Sequence, residues 1–84
     1  MAGKYHPKYT AEFNGDRLKE IRQKQGLTQE VFAERCGCGD RHIRSLEKGK
    51  CTNPSATLLC KMASVLEVSA ETLMKISVVS ETDA

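Results

Sequence analysis

The sequence predicts an all-α fold, a compact five-helix bundle, on three observations. Apolar residues recur at helical spacings of three and four along most of residues 14–76. Residues that cap helices stand just ahead of those runs, as Asn14, Thr28 and Ser69 do, and Gly26 and Gly37 stand just behind two of them. No internal repeat is present, and no segment is dominated by strand-forming patterns.

Taken in order, residues 1–13 (MAGKYHPKYTAEF) read as a flexible arm, with Gly3, Pro7, basic Lys4, Lys8 and His6, and no helical period. Helix one, about 15–25, has Asn14 as its cap, Leu18 and Ile21 as apolar positions and Gly26 as its stop. Helix two, 28–36, opens at Thr28, a good N-cap, and would bury Phe32, Ala33 and Cys36. Gly37-Cys38-Gly39 supplies left-handed turn geometry, and helix three, 39–48, would bury Ile43 and Leu46. Two short helices packed around a Gly-containing turn have the shape of a helix-turn-helix. A loop from Gly49 to Asn53 leads to helix four, 54–66. There Pro54 suits a first turn, and Ala56, Leu59, Cys60, Ala63 and Leu66 form one stripe. Ser69 would cap a short fifth helix, 69–76, carrying Leu73 and Ile76. Residues 77–84, SVVSETDA, show no core-forming pattern and read as a flexible tail.

Eighty-four residues make one small domain whose helices share a single core. With no Trp, two Phe and two Tyr, that core falls to Leu, Ile, Val, Ala, Met and Cys. No apolar run approaches the roughly 20 residues that span a bilayer. The first residues lack the apolar stretch of a signal peptide, so a cytoplasmic protein with no membrane association is expected. Cys36 and Cys38 are separated by one residue, and Cys51 and Cys60 by eight; neither gap matches paired zinc-ligand spacings, and His6 and His42 fit no ligand pattern. No metal and no cofactor is expected. Cys36 and Cys60 fall on apolar stripes and read as buried, reduced thiols acting as small hydrophobes. No Ser/His/Asp, Cys/His or paired-carboxylate set has recognisable geometry, which argues against an enzyme.

Charge is unevenly divided. Residues 1–50 carry eleven Lys/Arg against seven Asp/Glu, a balance of +4, and residues 51–84 carry two against four, a balance of −2. The basic half holds the helix-turn-helix, as a phosphate-facing surface requires; an ordinary solvated basic face is the alternative. Two charges sit on apolar stripes: Arg22 one turn beyond Leu18, and Glu47 one turn beyond Ile43 and beside Leu46. A partly buried Arg22–Glu47 pair joining helices one and three explains both, against the alternative that each snorkels to water.

These residues together resemble the phage-repressor and Cro type of helix-turn-helix, the XRE family, with its five-helix, lambda-repressor-like DNA-binding domain. The resemblance covers about residues 15–74. It rests on Arg22, Gly26-Leu27-Thr28-Gln29, Phe32-Ala33, Gly37, Ile43, Leu46-Glu47-Lys48-Gly49, Pro54 and Leu66-Glu67-Val68-Ser69. It implies a third helix lying in the major groove of a double-stranded DNA operator, with Asp40, Arg41, Arg44 and Ser45 facing base edges. Gln29, Lys48 and Lys50 would contact phosphate, and Arg22 and Glu47 would form an ion pair. Arg41 or Arg44 can grip guanine O6 and N7 bidentately. Asp40 departs from the uncharged polar residue more usual there. It reads either as an acceptor from a cytosine amino group or as a first-turn acid favoured by the helix dipole. Gly39 stands where a Ser or Thr cap is usual, and His42 is assigned no role.

One helix reads few base pairs, so a homodimer is expected. Leu58, Met62 and Val65, with Met74 and its apolar neighbours, are the candidate dimer surface, and a wider core is the alternative reading. Three function classes follow: a transcriptional regulator, expected to be a repressor; an antitoxin of the same fold with a toxin protein partner; and a protein-interaction module that has lost DNA binding.

Overall fold

Four α-helices and a two-stranded antiparallel ribbon make up residues 8–79, the part of the chain that the computed structural model describes. Strand β1 (Lys8–Phe13) is followed by α1 (Gly15–Lys24), α2 (Gln29–Cys36), α3 (Asp40–Glu47) and α4 (Ala56–Leu66). A 3-10 turn at Ala70–Leu73 then leads into strand β2 (Met74–Val79).

The helix boundaries follow from local chemistry. The side chains of Asn14, Thr28, Ser55 and Ser69 each accept a hydrogen bond from the backbone N–H three residues on, at Arg17, Val31, Leu58 and Thr72. Gly39 provides no such bond at the start of α3. Gly37 ends α2 at φ 74°, and Cys38 N–H then bonds back to Ala33 O at 3.0 Å. Glu67 ends α4 in the same left-handed region, at φ 59°, where a side chain is less at ease than glycine.

The core is Phe13, Leu18, Phe32, Ala33, Cys36, Ile43, Leu46, Met62, Ala63, Leu66 and Leu73. The N-terminus of α1 lies directly on the C-terminus of α3: a Cβ added at Gly15 would collide with the Leu46 carbonyl oxygen and crowd Glu47. Gln25 Nε2 donates to Leu66 O at 2.9 Å, tying the end of α1 to the end of α4.

Three expectations need correction. First, the fold is not all-α, and there is no fifth α-helix among the described residues. Its segment is the 3-10 turn at Ala70–Leu73 followed by β2, which pairs with β1 from Phe13↔Met74 out to Lys8↔Val79. Part of the expected arm (1–13) and of the expected tail (77–84) is therefore strand; residues 1–7, with His6, and 80–84 lie outside the described part. The physical reason is alternation: Ala11 and Phe13 share one face of the ribbon with Met74 and Ile76, while Thr10, Glu12, Lys75 and Ser77 share the other. Phe13 is buried at the ribbon's root, and Asn14 N–H bonds to Leu73 O at 2.8 Å.

Second, the core stripe of α4 is rotated from the expected one. Met62, Ala63 and Leu66 are buried and Leu59 half-buried, whereas Ala56 and Cys60 are exposed. Cys60 lies about 100° round the helix from Leu59 and so leaves the core face. Helix α4 also starts after Ser55, so Pro54 precedes the cap instead of opening the first turn. Third, Met62 is fully buried and cannot belong to a dimer surface.

Candidate nucleic-acid interface

Helix α3 is divided lengthwise. Ile43, Leu46 and Glu47 face inward, while Arg41, Arg44 and, just beyond the helix, Lys48 are exposed, with Ser45 half-buried beside them. Positions 41, 44, 45 and 48 follow the three- and four-residue spacing of one helix face. That face is basic except for half-buried Asp40 at its N-terminal end. Lys50 is also exposed, and the loop after α3 is folded back on it through Lys50 N–H to Ser45 O at 3.0 Å.

Behind this face lies a buried ion pair that ties α3 to α1. Arg22 Nε lies 2.6 Å from Glu47 Oε2 and Arg22 Nη2 lies 3.0 Å from Glu47 Oε1, a bidentate pair. The side chains are 7% and 2% exposed, so the pair is buried as well as partnered. Arg22 Nη1 also donates to Leu27 O at 2.6 Å, which draws in the turn ahead of α2. Burying two charges is costly unless their remaining donors and acceptors are met. Among the described residues, no buried side-chain nitrogen or oxygen lacks a partner. One cluster thus joins α1, the turn before α2, and α3.

The cluster continues outward. Gln29 Nε2 donates to Glu47 Oε1 at 3.0 Å, and Gln29 Oε1 accepts from Arg44 Nε at 3.1 Å. Arg44 Nη2 then lies 3.2 Å from Asp40 Oδ2 and 3.7 Å from Glu30 Oε2. The side chain of Gln29, expected at a phosphate, is here a bridge between the buried carboxylate and the exposed arginine. Glu30 was missed by sequence reasoning. Its only local signal is its place in the first turn of α2, and its meeting with Arg44 depends on how α2 and α3 pack. The Asp40–Arg44 contact, by contrast, is an i,i+4 pair on one helix.

No cysteine side chain takes part in these contacts among the described residues. Burial, and to a lesser extent neighbouring Cys38, push the Cys36 thiol up to about 11 against the opposing charge of Lys61. The Cys38 thiol is raised too, again by burial and against Lys61. Among the described residues no three His, Cys, Asp or Glu side chains are grouped to hold a metal ion, and no helix is long and apolar enough to cross a membrane.

A family model described as helix-turn-helix matches residues 18–77. The HTH-type transcriptional regulator SinR of Bacillus subtilis is 37% identical over 60 residues, which cover 71% of this chain and 54% of the relative. The chain therefore spans about half the length of that curated relative. A crystal structure of SinR, a master regulator for biofilm formation, in complex with DNA superposes with a TM-score of 0.68 at 37% identity, covering 70% of this chain and 94% of that one. The restriction-modification controller protein C.AhdI of Aeromonas hydrophila gives a TM-score of 0.66 at 32% identity, covering 70% and 88%.

Proposed function

The chain belongs to the HTH_3 helix-turn-helix family, and on that footing we propose that it binds double-stranded DNA sequence-specifically and regulates transcription, acting as a repressor. The observation that carries this reading is the exposed basic face of α3, a helix tied to α1 by the buried Arg22–Glu47 pair. With α3 in the major groove, Arg41 and Arg44 reach base edges, where an arginine fork matches guanine O6 and N7. Ser45 supports them weakly. Lys48 and Lys50 lie beyond the C-terminal end of α3 and meet phosphate, and the N-terminus of α2 at Gln29 meets phosphate on the other side. Phosphate contacts position the protein, and base contacts specify the site.

The protein acts on this reading as a homodimer. Support comes from apolar surface left partly uncovered: Leu58 and Val65 on α4, Met74 at the ribbon's root, and Ile76, which is 52% exposed on β2. The test of the function is selection of bound duplexes from a random pool. Enrichment of one motif, with affinity falling as salt rises, is the expected result. Recovery of unselected sequence together with salt-independent retention would reject it.

A further inference from the structure

We propose that Asp40 is a positioning residue for base recognition: together with Gln29 it orients the Arg44 guanidinium, leaving the tip of its fork to read a guanine. The inference rests on the DNA-binding reading above and assigns Asp40 neither of the two roles that the sequence suggests for it.

A guanidinium carries one N–H on Nε and two on each terminal nitrogen. In Arg44 the Nε hydrogen goes to Gln29 Oε1 at 3.1 Å, and Nη2 faces Asp40 Oδ2 at 3.2 Å, with Glu30 Oε2 farther off at 3.7 Å. Nε is thereby used and Nη2 is paired with Asp40, while Nη1 has no acceptor among the described residues and, with the second hydrogen of Nη2, is left for an outside acceptor pair. Guanine O6 and N7 form such a pair. Gln29 cannot turn its amide over without setting its oxygen against the Glu47 carboxylate and its NH2 against the Arg44 N–H, so the buried ion pair determines which way it points. A series of contacts thus runs from Arg22 through Glu47 and Gln29 to Arg44 and Asp40.

The charges decide what this arrangement does. An arginine free on a DNA-facing surface binds the phosphates of any sequence, and salt weakens it accordingly. Arg44 instead shares its charge with Asp40 and Glu30, both of which repel phosphate. Its contribution to general attraction falls, while its oriented fork keeps the capacity to distinguish bases. Asp40 trades affinity for discrimination.

The experiment measures binding to the selected duplex, to single-base-pair variants of it and to a scrambled duplex across a salt series. The proteins are the full chain and its Asp40→Asn, Asp40→Glu, Arg44→Ala and Asp40→Asn/Arg44→Ala forms, each with its Tm. Asp40→Asn should strengthen scrambled binding several-fold and steepen the salt dependence. It should also cut preference at one base pair by about tenfold, the scale of one bidentate contact. Asp40→Glu, whose longer side chain still reaches Arg44, should keep part of that preference. In the Arg44→Ala background, Asp40→Asn should leave preference unchanged. The proposal is overturned if Asp40→Asn preserves the preference, or weakens selected and scrambled duplexes by one common factor as a purely structural acid would. It is also overturned if Asp40→Asn still shifts the preference when Arg44 is absent, the mark of Asp40 touching a base itself. Those outcomes leave the DNA-binding reading standing. Failure of the parent chain to bind either duplex would remove both.

Discussion

Removing one partner of the Arg22–Glu47 pair should cost far more than removing both. In Arg22→Met, the Glu47 carboxylate keeps only Gln29 Nε2 as a partner while remaining in a site where its side chain is 2% exposed. In Glu47→Leu, Arg22 keeps only its bond to Leu27 O. An uncompensated buried charge of this kind costs about 3 kcal/mol. In a domain of this size 1 kcal/mol shifts Tm by about 4–8 °C, so each single variant should melt about 12–24 °C lower. The double variant, Arg22→Met/Glu47→Leu, removes both charges and fills the space with apolar atoms. It should recover most of the loss, so the double falls short of the sum of the singles by about 5 kcal/mol. Urea unfolding of the parent, the singles and the double, followed by far-UV circular dichroism, supplies the cycle. Single variants that each cost under about 1 kcal/mol, or a double equal to the sum of the singles, would refute the view that this pair is buried and mutually dependent.

Other consequences can be checked in the same unfolding experiments. Gly15→Ala should destabilise by about 1–3 kcal/mol, because the new methyl meets the Leu46 backbone carbonyl, which no side-chain movement can relieve; an unchanged midpoint would contradict the close approach of α1 and α3. Glu67→Gly should stabilise by up to about 1 kcal/mol, since glycine takes the left-handed φ of 59° at the end of α4 without strain; a loss of stability would show that the Glu67 side chain matters in its own right. Cys36 should give the parent a pH dependence. Its thiol titrates near 9 when unfolded and is held up to about 11 when folded. Below pH 9 both states keep the proton. Between 9 and 11 only the unfolded state loses it, so stability should fall by about 1.4 kcal/mol per pH unit from this group. Cys36→Ala should lack that component of the slope, and parallel parent and variant curves from pH 8 to 10.5 would reject it.

The helix-turn-helix was legible because its determinants are local. Thr28, Gly37 and the runs Phe32-Ala33-Cys36 and Ile43-Leu46 each report on their own turn of helix, and all behave as their spacing predicts. The Arg22–Glu47 pair was legible for a different reason: a charge on an apolar stripe is anomalous, and two of opposite sign explain each other. The ribbon was not legible. Each strand has six residues, too few for alternation to stand out, and its partner lies at the other end of the chain. Helix α4 misled because it is apolar on more than one side. Its residues satisfy two overlapping stripes, and only the packing selects Met62 over Cys60. The contacts of Gln29 with Glu47 and of Glu30 with Arg44 required the packed geometry of α2 on α3.

On the proposed reading, α3 reads sequence while the lysines after it only hold the DNA backbone. This is tested most directly by a salt-titrated binding series on the selected and scrambled duplexes with Arg41→Ala and Lys48→Ala. Arg41→Ala should lose about 1–3 kcal/mol on the selected duplex and relax preference at one base pair. Lys48→Ala should weaken both duplexes alike and flatten the salt slope by about one unit. If Arg41→Ala binds the two duplexes with the parent's preference intact at every position, α3 is not the reading element and the account fails.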